Sequence, residues 1–155
     1  QFLLSTVGVW SIIGGFFAIC FSSVGPCFYE DLTGNHQIYD PLMNYLSAAA
    51  EKYNIWALSS QEYLWNHFVN NKMAFGSGIS AMPSMHVATT FLSALVIWKK
   101  NIHLGYVLFI YTIIIMIGSV HLAWHYAVDG YISVILTYLI WNLCGKISTR
   151  IALKK

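Results

Sequence analysis

Three polar side chains stand out from an apolar run. Gly118-Ser-Val-His-Leu-Ala-Trp-His-Tyr-Ala-Val-Asp-Gly130 places His121, His125 and Asp129 at successive steps of four. On a continuous α-helix those positions share one face, each one turn above the last. Ionisable groups in an oily segment must either satisfy one another or do chemistry. Two imidazoles beside a carboxylate offer a nucleophile or base whose tautomer an acid can fix. A second stretch, Ala81-Met82-Pro83-Ser84-Met85-His86, reads as a helix start, with Pro and Ser ahead of an apolar run. The first turn of such a helix carries unbonded N–H groups and the positive end of the dipole, which together form an anion site. Gly76 and Gly78 just upstream permit close backbone approach. The chemistry on offer is a phosphate cradle carrying His86, opposed to His125 and Asp129.

These residues need elements that bring them together. The chain has 155 residues, 57% hydrophobic and 9% charged, with a mean hydropathy of +0.60. Soluble domains carry about 25% charged residues, so an all-α, multi-pass membrane helix bundle is expected. Residues 2–21 contain no charge and suffice for one span; no cleavage signal follows them, so a secretory leader fits poorly. Three further spans are expected over Ser84–Trp98, Ile102–Trp124 and Tyr126–Leu143. Between the first two, residues 22–78 hold turn signals and two amphipathic stretches, Pro41–Ala50 and Ile55–Phe68, mixed with Tyr and Trp. These predict a helical cap lying at one membrane interface. The first residue is Gln1, which suggests a chain that begins inside a longer one.

Charge sets the topology. Six of the eight basic residues (99, 100, 146, 150, 154 and 155) fall at the turn between the second and third spans and in the tail. All six acids (30, 31, 40, 51, 62 and 129) fall at the opposite helix ends. The positive-inside rule then puts the cap, the Ser84 helix start and the His125 region together on the extracytoplasmic side. Cys20, Cys27 and Cys144 are odd in number and lack metal-ligand spacing, so no disulfide framework is expected.

With both halves on one surface, the motifs carry a resemblance. Pro83-Ser84-Met85-His86 resembles the Pro-Ser-Gly-His motif of the type 2 phosphatidic acid phosphatase superfamily, and His125-Tyr-Ala-Val-Asp129 resembles its final His-x-x-x-Asp motif. The longer strings Gly78–His86 and His125–Gly130 are most similar to the inositol phosphorylceramide synthase-like branch. The resemblance covers about residues 22–145. It departs from the family where Met85 replaces Gly, where Ser119 stands in place of Arg six residues before His125, and where the Lys and Arg-Pro of the first motif are missing; the cap holds only Lys52 and Lys72. The resemblance implies metal-independent phosphoryl transfer through a phosphohistidine on His125, oriented by Asp129, with His86 as the acid. Ser84, Met85, His121, Lys72 and Ser119 are the implied phosphate-binding positions. No cofactor is implied. The substrate would be a phospholipid, isoprenoid or sphingolipid phosphate in the bilayer, with no nucleic-acid partner. The family's six-helix core implies that these four spans are the last four.

Two other classes compete. His121, His125, Asp129 and His86 could supply an N/O set for a metal enzyme or transporter. A non-catalytic relative could keep the fold, with His125 and Asp129 as a polar pair joining helix ends. His36, His67 and His103 belong to no constellation, and Trp124 and Tyr126 fit an interfacial aromatic belt.

Overall fold

Helix α1, Phe2–Phe21, is 20 residues long with mean hydropathy 2.0. At 1.5 Å per residue it measures about 30 Å. The computed structural model describes residues 1–35, 38–70 and 79–153; His36, Lys72, Gly76, Gly78, Lys154 and Lys155 lie outside the described residues. Every named element is a helix, and pairing between strands is limited, among the described residues, to one antiparallel bridge between Val24 and Ser80. After a tight turn at Pro26–Phe28 come α2 (Tyr29–Thr33), α3 (Asp40–Ala50) and α4 (Trp56–Val69). Then follow α5 (Met85–Trp98), α6 (Ile102–His121) and α7 (Ala127–Leu153).

Three of these, α1, α6 and α7, are long and apolar enough to cross a membrane. The protein is therefore an integral membrane bundle of at least these helices. The segment expected as a further span is α5, with 14 residues. That gives about 21 Å, short of a 30 Å hydrocarbon core. Helix α6 stops at His121 rather than Trp124, and α7 runs to Leu153 rather than Leu143.

The bundle core explains how α1 is held. Ser5, Val9 and Ile13, spaced by four, are buried, while Leu3, Val7, Trp10, Phe16 and Ile19 face outward. Val9 and Ile13 join Ala88 and Leu92 of α5 and Ile140, Trp141 and Cys144 of α7 in one apolar cluster. Lipid tails are as apolar as these side chains, so close packing, rather than escape from water, favours this contact. Gly14 shows the closeness: a Cβ there would lie 3.1 Å from Met85 Sδ. Around it, over Val9–Phe17, the helix widens to the π register.

A second cluster lies at the N-terminal ends of α5 and α7. Cys27, Phe28, Leu46 and Ala123 are buried there, with Leu42, Leu58, Leu64, Trp65 and Leu122 packed against them. Helices α3 and α4 thus sit over the loops at 22–28 and 122–126. Phe28 stacks on Trp65 at 5.7 Å between ring centroids. Burial of these rings against water contributes in the ordinary way, about 25 cal/mol per Å².

Candidate active site

Two loops build the site, and each is tied down by backbone bonds. Residues 79–83 run beside 22–25: Ala81 N–H donates to the Ser23 carbonyl at 2.6 Å, and the Ser80 hydroxyl donates to the Ala18 carbonyl at 2.9 Å. The strap delivers the chain to Ser84, the N-cap of α5, whose hydroxyl accepts from Val87 N–H at 3.5 Å. Among the described residues no acceptor is found for the N–H of Met85 or His86, as expected for a helix's first turn.

The second loop follows the end of α6. Ala123 adopts φ +59° and is fully buried. This left-handed residue just past a helix C-terminus is the position glycine usually takes. It is held by Cys27 N–H donating to its carbonyl at 3.0 Å and by Gln61 Nε2 donating to the Leu122 carbonyl at 2.8 Å. Gly25 meets the loop so closely that a Cβ would collide with the Trp124 carbonyl. The consequence is a sharp reversal between His121 and His125. The ladder that one continuous helix would give does not form: His121 ends α6, and His125 and Asp129 lie beyond the reversal, as the break expected between Trp124 and Tyr126 requires.

The reversal turns His125 toward α5. Its Nδ1 lies 2.6 Å from the Ala81 carbonyl, and its Nε2 lies 3.2 Å from Nδ1 of His86. A carbonyl only accepts, so Nδ1 of His125 carries a proton, and in the neutral ring Nε2 presents a lone pair. Nδ1 of His86 is then the donor in the bond between the rings. The two rings are 5.4 Å apart and inclined at 68°. His125 is 6% exposed and Asp129 1%. The Asp129 carboxylate is 3.6 Å from His125 Nδ1 and accepts from Tyr126 N–H at 2.8 Å. It therefore caps α7 from the third helical position, where a negative charge also suits the dipole. The ring N–H expected to point at the carboxylate goes first to the backbone of Ala81, with the carboxylate as the nearby charge.

Both imidazoles open onto a cavity of about 620 Å³. Its lining is largely apolar, with Gly14, Ala18, Phe28, Leu64, Ile79 and Met85 among the walls and Ser60 and Ser80 as polar members. A site of this size suits part of a lipid. Beside it, burial and Tyr39 push the Tyr126 phenol up to about 12, and burial pushes the Cys27 thiol up to about 12. Both stay neutral near pH 7.

Of the residues singled out in the sequence, His86, His125, Asp129, Ser84 and Met85 converge here. His86, His125 and Met85 reach the cavity; Ser84 is buried as a cap behind it. His121 is exposed and packs against Tyr45, 5.8 Å between rings, outside this cavity. The Ser119 hydroxyl donates to the Met116 carbonyl at 2.9 Å, and its own carbonyl takes the N–H of Trp124 at 3.0 Å. With His121 turned away, the four-residue N/O set does not assemble, and among the described residues no group of three His, Cys, Asp or Glu is arranged to hold a metal. The Ala81 carbonyl was not foreseeable, because a backbone acceptor has no residue type. Ser60 and Leu64 had a signal: four apart on an amphipathic helix, they share a face.

Paired imidazoles thus lie on a cavity at one end of an apolar, membrane-spanning helical bundle, beneath two covering helices. The chain matches the family model of the PAP2 superfamily over residues 1–143, and it belongs to that superfamily. Membership makes it a membrane enzyme of the phosphatase or phosphotransferase type, acting on phosphorylated lipids. No curated protein and no solved structure matches it.

Proposed function

We propose that the protein is a lipid phosphate phosphatase or lipid head-group phosphotransferase in which His125 Nε2 attacks phosphorus, without a metal. The observation that carries the reading is the His125 tautomer: its N–H engaged by Ala81, its lone pair toward the cavity and His86. The incoming phosphoryl group replaces His86 at Nε2. As the N–P bond forms and the P–O bond breaks, protonated His86 gives its proton to the departing alcohol or phosphate oxygen. Water or a lipid hydroxyl then attacks phosphorus, His86 takes back a proton, and the N–P bond breaks. Asp129 stabilises the positive charge that develops on the His125 ring.

Charge on the phosphoryl oxygens is met by the N–H groups of Met85 and His86 and the α5 dipole. Lys72, in the segment between α4 and α5, is proposed as an added cation. His121 and Ser119 would need to move to serve, so they are assigned to shaping the loop. The apolar wall supports a lipid chain, and the synthase-like spelling of both motifs supports head-group transfer beside hydrolysis. By the positive-inside rule, the site faces the extracytoplasmic side, with α3 and α4 as its interfacial cap and α5 as a fourth, short membrane helix.

The test is to incubate purified protein with lipid phosphates and diphosphates, with and without ceramide or diacylglycerol. Release of inorganic phosphate identifies hydrolysis, and a new phosphodiester identifies transfer. Turnover that resists chelation and is inhibited by vanadate supports the metal-free route. Turnover lost on chelation and restored by zinc would defeat it.

A further inference from the structure

A second cavity lies far from the histidines. It occupies about 860 Å³ along the C-terminal half of α7. Lys146 stands 17 residues beyond Asp129, about 25 Å along the helix, so this cavity and the histidine site sit at opposite ends of the bundle. Along α7 the lining passes from Tyr138 and Leu139 through Asn142 to Lys146 and Arg150, about three turns. Lys99 joins it from the end of α5, beside Trp141. The helix side of the trough therefore runs from apolar to basic along its axis.

Lys99 is fixed in place. Its ammonium donates to Gln1 Oε1 at 3.0 Å and lies 4.9 Å from the centre of the Trp141 ring, a cation–π contact that orients a long side chain. Lys146 and Arg150, four apart on α7, share one face. Among the described residues the trough lining contains no Asp or Glu. Three positive groups around one trough without an acid make its potential positive and favour an anion there. Because the basic end leads directly into exposed apolar side chains, a free anion would leave half of the trough unused.

We propose that this trough binds the head group of an anionic phospholipid, phosphate against Lys99, Lys146 and Arg150, with an acyl chain lying along Tyr138 and Leu139. The lipid acts as a structural ligand at the end of the bundle remote from the site. The assignment uses charge complementarity and the axial polarity gradient, and it stands independently of the catalytic reading.

Native mass spectrometry of the full chain from detergent, with phosphatidylglycerol, phosphatidylcholine or inorganic phosphate added, tests it. Retained phosphatidylglycerol is expected, with far less phosphatidylcholine. The double variant Lys146→Gln/Arg150→Gln should lower retention roughly thirtyfold, whereas Lys100→Gln, a charge on the same surface but outside the lining, should leave it unchanged. Asn142→Trp fills the trough without altering charge and should also expel the lipid. Equal retention of phosphatidylcholine overturns the proposal, as does competition by equimolar inorganic phosphate. A loss in Lys100→Gln matching that of the double variant would show general surface attraction and overturn it too.

Discussion

At the scale of single residues, the bond from His125 Nδ1 to the Ala81 carbonyl separates two jobs that a carboxylate often performs together. In the proposed mechanism the backbone fixes the tautomer, and Asp129, at 3.6 Å, supplies charge. Asp129→Asn keeps an oxygen that can accept from Tyr126 N–H, so the α7 cap survives while the charge is lost. Turnover should fall by roughly 10²-fold, with melting temperature nearly unchanged; a loss as complete as that of His125→Ala would mean that Asp129 fixes the ring. His86→Ala should cost about 10²- to 10⁴-fold and change the pH profile. In the parent, turnover should fall at high pH as His86 loses its proton. The variant should lose that basic limb, and a basic limb that persists would move the acid role elsewhere.

Cys27 gives a residue-scale check of the cover. Its thiol is raised from 9.0 to about 12 by burial, so between those values the unfolded chain ionises and the folded chain does not. Its stabilising effect is full below pH 9 and is lost as pH rises toward 12. In the folded protein, alkylation of Cys27 at pH 8.5 should be slower by orders of magnitude than in denaturant, read by peptide mass mapping. Comparable rates would mean that α3 and α4 do not close over the loop.

At the scale of elements, the decisive feature is the reversal at Ala123. Both motif halves were legible from residue types, and so was the start of α5 at Pro83-Ser84. A break between Trp124 and Tyr126 was expected too, but not the left-handed residue that makes it: the sequence offers alanine where glycine would normally announce one. Tertiary contacts with Cys27, Gln61 and Gly25 override the local preference. Two substitutions test this account. Ala123→Gly removes a steric cost of about 1 kcal/mol and a buried methyl of similar worth, so stability should change little. Gly25→Ala places a carbon against the Trp124 carbonyl and should lower the melting temperature and turnover together. Thermal unfolding in detergent reads both, and a silent Gly25→Ala would show that the loops are not so closely apposed.

The wall formed by α1 is the other element the sequence concealed. Gly14 sits in an uncharged run and carries no chemical signal, yet it lines the cavity beside Met85. Gly14→Leu should raise KM for a long-chain lipid phosphate more than for a short-chain one, with kcat less affected, measured on a chain-length series. Equal effects on both would take the acyl chain away from this wall.

At the scale of the whole molecule, the apolar composition and the placement of charges were enough to indicate an integral membrane bundle. They also indicated that residues far apart in sequence share one end of it. The ends of α6 and α7 were less legible, because an apolar run does not record where hydrogen bonding stops. The short α5 reads as a full span because its approach from Ile79 is apolar, whereas residues 79–83 form a strap whose Ala81 carbonyl accepts from His125. The molecule thus has a polar device at each end: paired imidazoles under α3 and α4, and a basic trough along the last turns of α7.

The central claim is that His125 carries the phosphoryl group. Purified protein mixed with ³²P-labelled lipid phosphate and quenched in alkali should retain label that survives base and is lost in mild acid, mapping to His125. His86→Ala, in which proton exchange is slowed, should still retain label, and His125→Ala should retain none. Turnover by a protein that never retains acid-labile label, or label that persists in His125→Ala, would contradict the account.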